Sequence, residues 1–199
     1  MNKILNPNKE LRAYIIGLAL GDGNLSNQNG RATRLRITCD KKYPLLYKKI
    51  FDSLVLLLPD NKVGIVQRGR RYLDVSVYSN HLEDLLGWKA KNGSKFLQKA
   101  SIPKWIKENN TYKINCLRGL IETDGSIYND RGYKMVIFKS IIPNLTQDFY
   151  TMMVDLGFNP HIYKITPPRN TIYNQQVAYH VRLSKSVAEF LELVKPEKI

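Results

Sequence analysis

The sequence predicts an α+β chain built as a pseudo-twofold tandem repeat, each unit running helix, two strands, helix, two strands, helix. Three observations predict it. The segment CLRGLIETDGSI (Cys116 to Ile127) restates YIIGLALGDGNL (Tyr14 to Leu25), pairing Gly17 with Gly119, Leu18 with Leu120, Asp22 with Asp124 and Gly23 with Gly125. Self-similarity of this kind marks a repeat architecture. Downstream of each copy, period-two alternation marks strands and i, i+3, i+4 spacing marks helices. The strands are apolar on one side and polar to basic on the other, the pattern of an antiparallel sheet covered by helices on one side only.

Each element follows from its own residues. The first helix carries two apolar stripes, Leu11, Tyr14, Ile15, Leu18 and Ala13, Ile16, Gly17, Leu20. Burial on two sides implies one contact with its own sheet and one with something else. Gly17 and Gly21 are four apart, with Gly119 and Thr123 as their counterparts, and small residues at that spacing let helix backbones approach closely. The two repeat helices are therefore expected to pack on each other at the pseudo-twofold axis. In the second helix Asn115, Arg118 and Glu122 interrupt the stripe, and Arg118 and Glu122 stand at i, i+4, where they can partly neutralise one another.

After the first helix, TRLRIT (Thr33 to Thr38) alternates as a strand and aligns with YKMVIF (Tyr133 to Phe138). LDVSVYS (Leu73 to Ser79) aligns with YHVRLSK (Tyr179 to Lys185), and HLEDLLGW then parallels VAEFLELV. The units are expected at residues 1–86 and 105–199, joined by a linker over 87–104 in which Trp88 and Phe96 anchor to the core, followed by Trp105. Cys39 and Cys116 form no disulfide framework or metal spacing and read as free thiols.

Charge narrows the partner. Thirty-one Lys and Arg stand against 17 Asp and Glu, a net charge of +14, which is the footprint of a polyanion-binding protein. A basic membrane helix would gather that charge in one segment, whereas here it is spread through hairpins and loops. The chain lacks a membrane-spanning stretch and a signal-peptide core, so a cytoplasmic or organellar-matrix protein that is not secreted is expected.

The chemistry concentrates in the paired motif. Asp22 and Asp124 each end a helix, where the dipole disfavours an anion by roughly 0.3–1 kcal/mol. Close packing of the helices adds repulsion between the two carboxylates. Both costs vanish if a divalent cation binds, and Mg²⁺ prefers hard oxygen ligands. A simple helix stop would not need Asp in both copies.

These residues, IIGLALGDG (Ile15 to Gly23) and LRGLIETDG (Leu117 to Gly125), resemble the motif of the LAGLIDADG homing endonucleases in their single-chain form with two motif copies. The resemblance implies a monomeric saddle of two four-stranded antiparallel sheets with the motif helices at the interface. It implies metal binding by Asp22 and Asp124, assisted by the backbone carbonyls of Gly21 and Thr123, with Mg²⁺ as cofactor and Mn²⁺ as substitute. The motif's usual sixth-position Asp is replaced by Leu20 and Glu122. The implied reaction is hydrolysis of both DNA strands across the minor groove, leaving 3′ overhangs. Basic residues near the metals belong to this pattern, and Lys139 and Lys185 are the catalytic candidates.

Base readout is expected from the polar sheet faces and the hairpin loops. The candidates are Asn27, Gln28, Arg31, Arg34, Arg36, Arg68, Arg70, Tyr72, Lys134, Arg169, Asn174, Gln176, His180 and Arg182. Arg pairs bidentately with guanine, and Asn or Gln with adenine. The halves differ at aligned positions, Arg36 against Val136 and Asp74 against His180, so a partly palindromic double-stranded DNA target is expected. The alternatives are an RNA-binding maturase acting on intron RNA and a DNA-binding regulator without cleavage. Asp in both motif copies favours the nuclease, because carboxylates repel phosphate and serve no purpose in a pure binding module.

Overall fold

The computed structural model describes residues 8–27, 30–167 and 176–198. Gln28, Arg169 and Asn174 of the expected DNA contacts lie outside them. The first unit comprises α1 (Lys9–Asp22), β1 (Gly23–Ser26), β2 (Thr33–Asp40), α2 (Pro44–Leu57), β3 (Val63–Arg68), β4 (Tyr72–Ser79) and α3 (Leu82–Leu86). A single turn, α4 (Lys104–Lys107), precedes the second unit. That unit is α5 (Asn110–Asp124), β5 (Gly125–Asp130), β6 (Tyr133–Ser140), α6 (Pro143–Asp155), β7 (His161–Ile165), β8 (Ala178–Leu183) and α7 (Val187–Val194). Each unit forms a four-stranded antiparallel sheet, in the orders β1-β2-β4-β3 and β5-β6-β8-β7. Among the described residues no helix is long and apolar enough to cross a membrane.

The central helices start alike. Asn8 accepts the Leu11 amide at 3.0 Å and Asn109 accepts the Tyr112 amide at 3.2 Å, each satisfying a donor that the first turn would leave unpaired. Residues Ala13 through Leu20 of α1 are all buried. This continuous burial reflects packing against its own sheet on one side and α5 on the other. Gly17 and Gly119 make that approach possible. A Cβ on Gly119 would stand 2.6 Å from the Leu18 amide nitrogen, and one on Gly17 would collide with the Cys116 carbonyl.

The glycines that close the motifs act differently from an ordinary helix stop. Gly23 and Gly125 have extended backbone, with φ −78° and −85°, not the left-handed conformation of a common C-cap. Their side-chain space is taken by the preceding turn. A Cβ on Gly23 would lie 2.5 Å from Ala19 Cα, and one on Gly125 2.6 Å from Ile121 Cα.

Sheet register fixes which side chains face away from the helices. The row Gly23–Ile37–Val75 in the first sheet corresponds to Gly125–Phe138–Val181 in the second. Ile37 is thus matched by Phe138, and the alignment of TRLRIT with YKMVIF slips by one residue. Arg36 corresponds to Ile137 rather than Val136. Val136, Ile137 and Phe138 are all buried, so alternation alone had two solutions there. The stack of Phe138 on Phe149 of α6, ring centroids 4.2 Å apart, selects the one observed. A one-residue slip exchanges the faces of a strand, and Lys134 consequently shares the helix-side parity of Val136 and Phe138, not the open face.

Trp88 is buried, and Phe96 and Trp105 pack half-buried against the core. Both cysteines are free and buried. Arg118 and Glu122 act on each other through charge, as expected, the Arg118 guanidinium favouring the ionised Glu122, but their direct bonds go elsewhere: Arg118 donates to the Val194 carbonyl at 2.5 Å, while Glu122 accepts from the Tyr14 hydroxyl and the Glu197 amide.

Candidate functional site

Because α1 and α5 pack side by side and both end where their sheets begin, Asp22 and Asp124 meet at one end of the interface. Burial pushes Asp124 up to about 6, with the neighbouring Asp22 charge adding to the effect. Burial also raises Asp22, against the pull of Lys198 and Lys95. Asp22 is exposed to solvent. Two anions thus stand close together in surroundings that disfavour both.

Two lysines answer this charge, and neither was among the expected catalytic residues. Lys95 Nζ donates to the carbonyls of Ala19 at 3.0 Å and Leu20 at 2.6 Å, and also to Gly21. Lys198 Nζ donates to the carbonyls of Thr123 at 3.0 Å and Gly125 at 3.1 Å. Each ammonium caps the negative end of a central helix. Lys95 lies 74 residues after Gly21 and Lys198 lies 75 after Thr123. They are equivalent residues of the two repeats. A trace of this was present in the sequence, since a Lys followed by an apolar residue (Lys95-Phe96, Lys198-Ile199) recurs at a similar distance after each motif. Burial lowers Lys95 to about 8, while Asp124 and then Asp22 favour its charged form.

The carboxylates and lysines define two pockets built crosswise. One, about 390 Å³, is lined by Gly21 of α1, Asp124 of α5 and Lys95, together with Lys139, Ser140 and His180. A Cβ on Gly21 would lie 3.4 Å from Asp124 Oδ2. The other, about 160 Å³, is lined by Thr123 of α5, Asp22 of α1 and Lys198, together with Thr38, Cys39 and Asp40. Register makes Thr38 the equivalent of Lys139 and Cys39 that of Ser140. Each pocket therefore combines the carboxylate of one repeat with the helix-end backbone of the other, and the two differ in their flanking side chains. Cys39 is a poor nucleophile here, its thiol pushed up to about 12 by burial and by Asp22 and Asp74.

The expected residues fall into separate groups. Lys139 lines the pocket of Asp124. Lys185 does not reach either pocket. It follows β8 beyond Leu183, which pairs with Val136, whereas Lys139 pairs with His180 at the opposite end of that strand. Five positions separate it from His180, three of them in β8 at about 3.3 Å each.

On the open face of the first sheet stand Arg34, Arg36, Arg68 and Tyr72. The buried carboxylate of Asp74 braces two of them, 2.7 Å from Arg68 Nε and 3.7 Å from Arg36 Nε, and accepts the Thr38 hydroxyl at 2.8 Å. Arg34 donates to Ser76 at 3.3 Å. Asn24 and Ser26, absent from the expected set, share this face and line a concavity with Arg31, Arg34, Arg36 and Tyr78. Asn27 bonds Thr33 at 3.4 Å, and Arg70 sits in the β3–β4 turn. The second sheet presents Arg182 and His180, with Tyr163 edge-on to His180 at 5.3 Å. Gln176 is exposed just before β8.

Residues 111–195 match the LAGLIDADG-like domain family. The chain is 24% identical over 215 aligned residues to the tRNA-splicing ligase RtcB of Methanopyrus kandleri, with 94% of this chain and 21% of that protein aligned. It spans about a fifth of that relative's length. The fold is that of I-DmoI in complex with DNA and Mn, with a TM-score of 0.67, 21% identity, and 94% of this chain and 96% of the other covered. It is also that of the N-terminal LAGLIDADG domain of DUF199/WhiA, with a TM-score of 0.62, 14% identity, and 97% and 86% covered. The chain thus has the fold of these solved structures and carries two copies of a motif that resembles LAGLIDADG, with the family match itself covering residues 111–195.

Proposed function

We propose that the protein is a site-specific DNA endonuclease that makes a divalent-metal-dependent double-strand break, leaving 3′ overhangs at a long, partly palindromic target. The observation that carries this reading is the pair of crosswise pockets, each with a carboxylate, a helix-end carbonyl and a lysine. Two equivalent centres on one chain suit two strands of one duplex, so a monomer suffices. I-DmoI, a homing endonuclease of this fold seen with DNA and Mn, supports it.

The donor set fits Mg²⁺ or Mn²⁺. Carboxylates and carbonyls are hard oxygens, and the carbonyls already point at cationic ammonium groups. Among the described residues no cluster of three or more His, Cys, Asp or Glu gathers into a complete cage. That suits a metal held by one or two carboxylates and completed by phosphate and water. Such a metal supplies an activated water and charge stabilisation at phosphorus.

The chain's own residues do the rest. Asp22 and Asp124, with the carbonyls of Gly21 and Thr123, would hold the metal. Lys95 and Lys198 keep positive charge beside each carboxylate, where a phosphate would otherwise be repelled. Arg34, Arg36 and Arg68 face the major groove on one half-site, with Asp74 holding Arg36 and Arg68 in place for base contact rather than free phosphate contact. His180 and Arg182 do the same on the other.

The test is incubation with Mg²⁺ and a plasmid carrying the host locus with this reading frame removed. Linear product with 3′ overhangs is expected. Tight binding of that DNA without cleavage would replace the nuclease with a DNA-binding regulator. Binding only to the locus transcript would replace it with a maturase.

A further inference from the structure

Glu122 is a carboxylate that the proposed chemistry leaves unused. It is 2% exposed, and its equivalent on α1 is Leu20. One oxygen accepts the Tyr14 hydroxyl of α1 at 2.6 Å, and the other accepts the backbone amide of Glu197 at 2.8 Å. A single side chain therefore ties the inter-repeat interface to the segment that carries Lys198. Lys49 of α2 reinforces the tie. Its ammonium binds Glu197 Oε1 at 2.8 Å, stands 3.9 Å from Glu122 Oε1, and lies 5.4 Å from the centre of the Tyr14 ring.

The other pocket is held differently. With Leu20 in the equivalent place, the carboxylates that bond the segment carrying Lys95 come from outside the motif helices: Glu83 accepts the Ala90 amide at 2.9 Å and Asp148 accepts the Ile102 amide at 2.8 Å. That segment is further fixed by its own bonds: the Lys95 carbonyl accepts the Ala100 amide at 2.9 Å, and Gln98 bridges the carbonyls of Lys89 and Gly93 at 2.8 Å each.

We propose that Tyr14 and Glu122 form a latch, made of positioning residues, that holds segment 195–198 and hence Lys198 over the Asp22 pocket, so that cleavage of one DNA strand depends on it and cleavage of the other does not. The strand-specific part rests on the endonuclease reading; the latch itself does not. Misplacement of a charged group by a fraction of a side-chain length is enough to slow a reaction severely, and the smaller pocket, with Thr38 where the other has Lys139, has no second lysine to compensate.

The test uses the full chain with Tyr14→Phe and Glu122→Leu combined. Removing the Tyr14 hydroxyl together with its acceptor leaves no buried donor unpaired in the helix interface, so the fold is preserved; only the half-buried Glu197 amide is released, and Leu is what α1 carries at this position. Without DNA, hydrogen exchange at the Glu197 amide is expected to rise about tenfold or more. On the locus DNA with each strand separately end-labelled, one strand is expected to be cut about tenfold slower or worse, and the other within about twofold, so nicked product accumulates. The slowed strand should be the one slowed by Lys198→Met. Glu122→Gln keeps an acceptor for the amide and should restore both readouts. Unchanged exchange, or equal slowing of both strands, overturns the latch. If the wild type cuts neither strand, the endonuclease reading falls, and exchange at Glu197 alone decides the latch.

Discussion

Lys95 sits on the carbonyls that end α1, yet it lines its pocket with Asp124 of α5. Lys198 mirrors it, capping α5 while sharing a pocket with Asp22 of α1. Neither repeat therefore owns a complete centre. A substitution in one motif is felt in both pockets, because the carboxylate belongs to one and the helix end to the other.

Asp22→Asn and Asp124→Asn are each expected to abolish double-strand cleavage while leaving DNA affinity unchanged or slightly higher, since a negative charge facing phosphate is removed. Gel-shift titration beside a cleavage assay checks this. A single Asn variant with full double-strand activity would refute a shared metal-binding centre.

Lys95→Met should cost about 1 kcal/mol or more of stability, because buried carbonyls at the end of α1 lose their donor. Cleavage should slow more than stability suggests, by about tenfold to a hundredfold, as misplaced or missing catalytic charge does. Denaturation midpoints and single-turnover rates, measured on the same preparation, separate the two effects.

Gly119→Ala forces a Cβ to within 2.6 Å of the Leu18 amide nitrogen, backbone that cannot swing away. A loss of about 1–3 kcal/mol, the usual cost of overpacking, is expected. Gly64→Ala is the control, since a Cβ there meets nothing within 4 Å. Urea denaturation of the two variants should differ accordingly, and equal midpoints would show that the helices are not in such close contact.

Burial and Asp22 hold the Asp124 proton until about pH 6. An unfolded chain releases it at an ordinary carboxylate pKa, so in the metal-free protein this group's contribution to stability is present at low pH and is lost as pH rises through about 6. A bound cation favours the ionised form. Mg²⁺ or Mn²⁺ should therefore raise Tm more at pH 7.5 than at pH 5, and Asp124→Asn should remove most of that difference. Thermal scans with and without metal decide it; an equal shift at both pH values would contradict it.

Much of the architecture was legible because it rests on local pattern. Alternation in Leu73, Val75, Val77 and its echo in Val181 and Leu183 gave strands with one apolar face, and the structure buries all five. Gly17 and Gly119 announced a close helix pair, and the helices touch there. Pattern gave out where it was ambiguous. Val136, Ile137 and Phe138 form an unbroken apolar run, so the register of β6, and with it the facing of Lys134, depended on packing against α6.

The sequence by itself determined the repeat, the sheet-forming strands, the glycine-mediated interface and the two carboxylates ending paired helices. All of these are short-range consequences of residue type and spacing. Only the tertiary structure decided which lysines join those carboxylates, that each pocket is built from both repeats, and that Glu122 bonds Tyr14 and Glu197 rather than Arg118. Those contacts join residues some 70 to 110 positions apart. At such separations spacing along the chain carries no geometric information, and the packing of α1 on α5 alone sets which side chains meet.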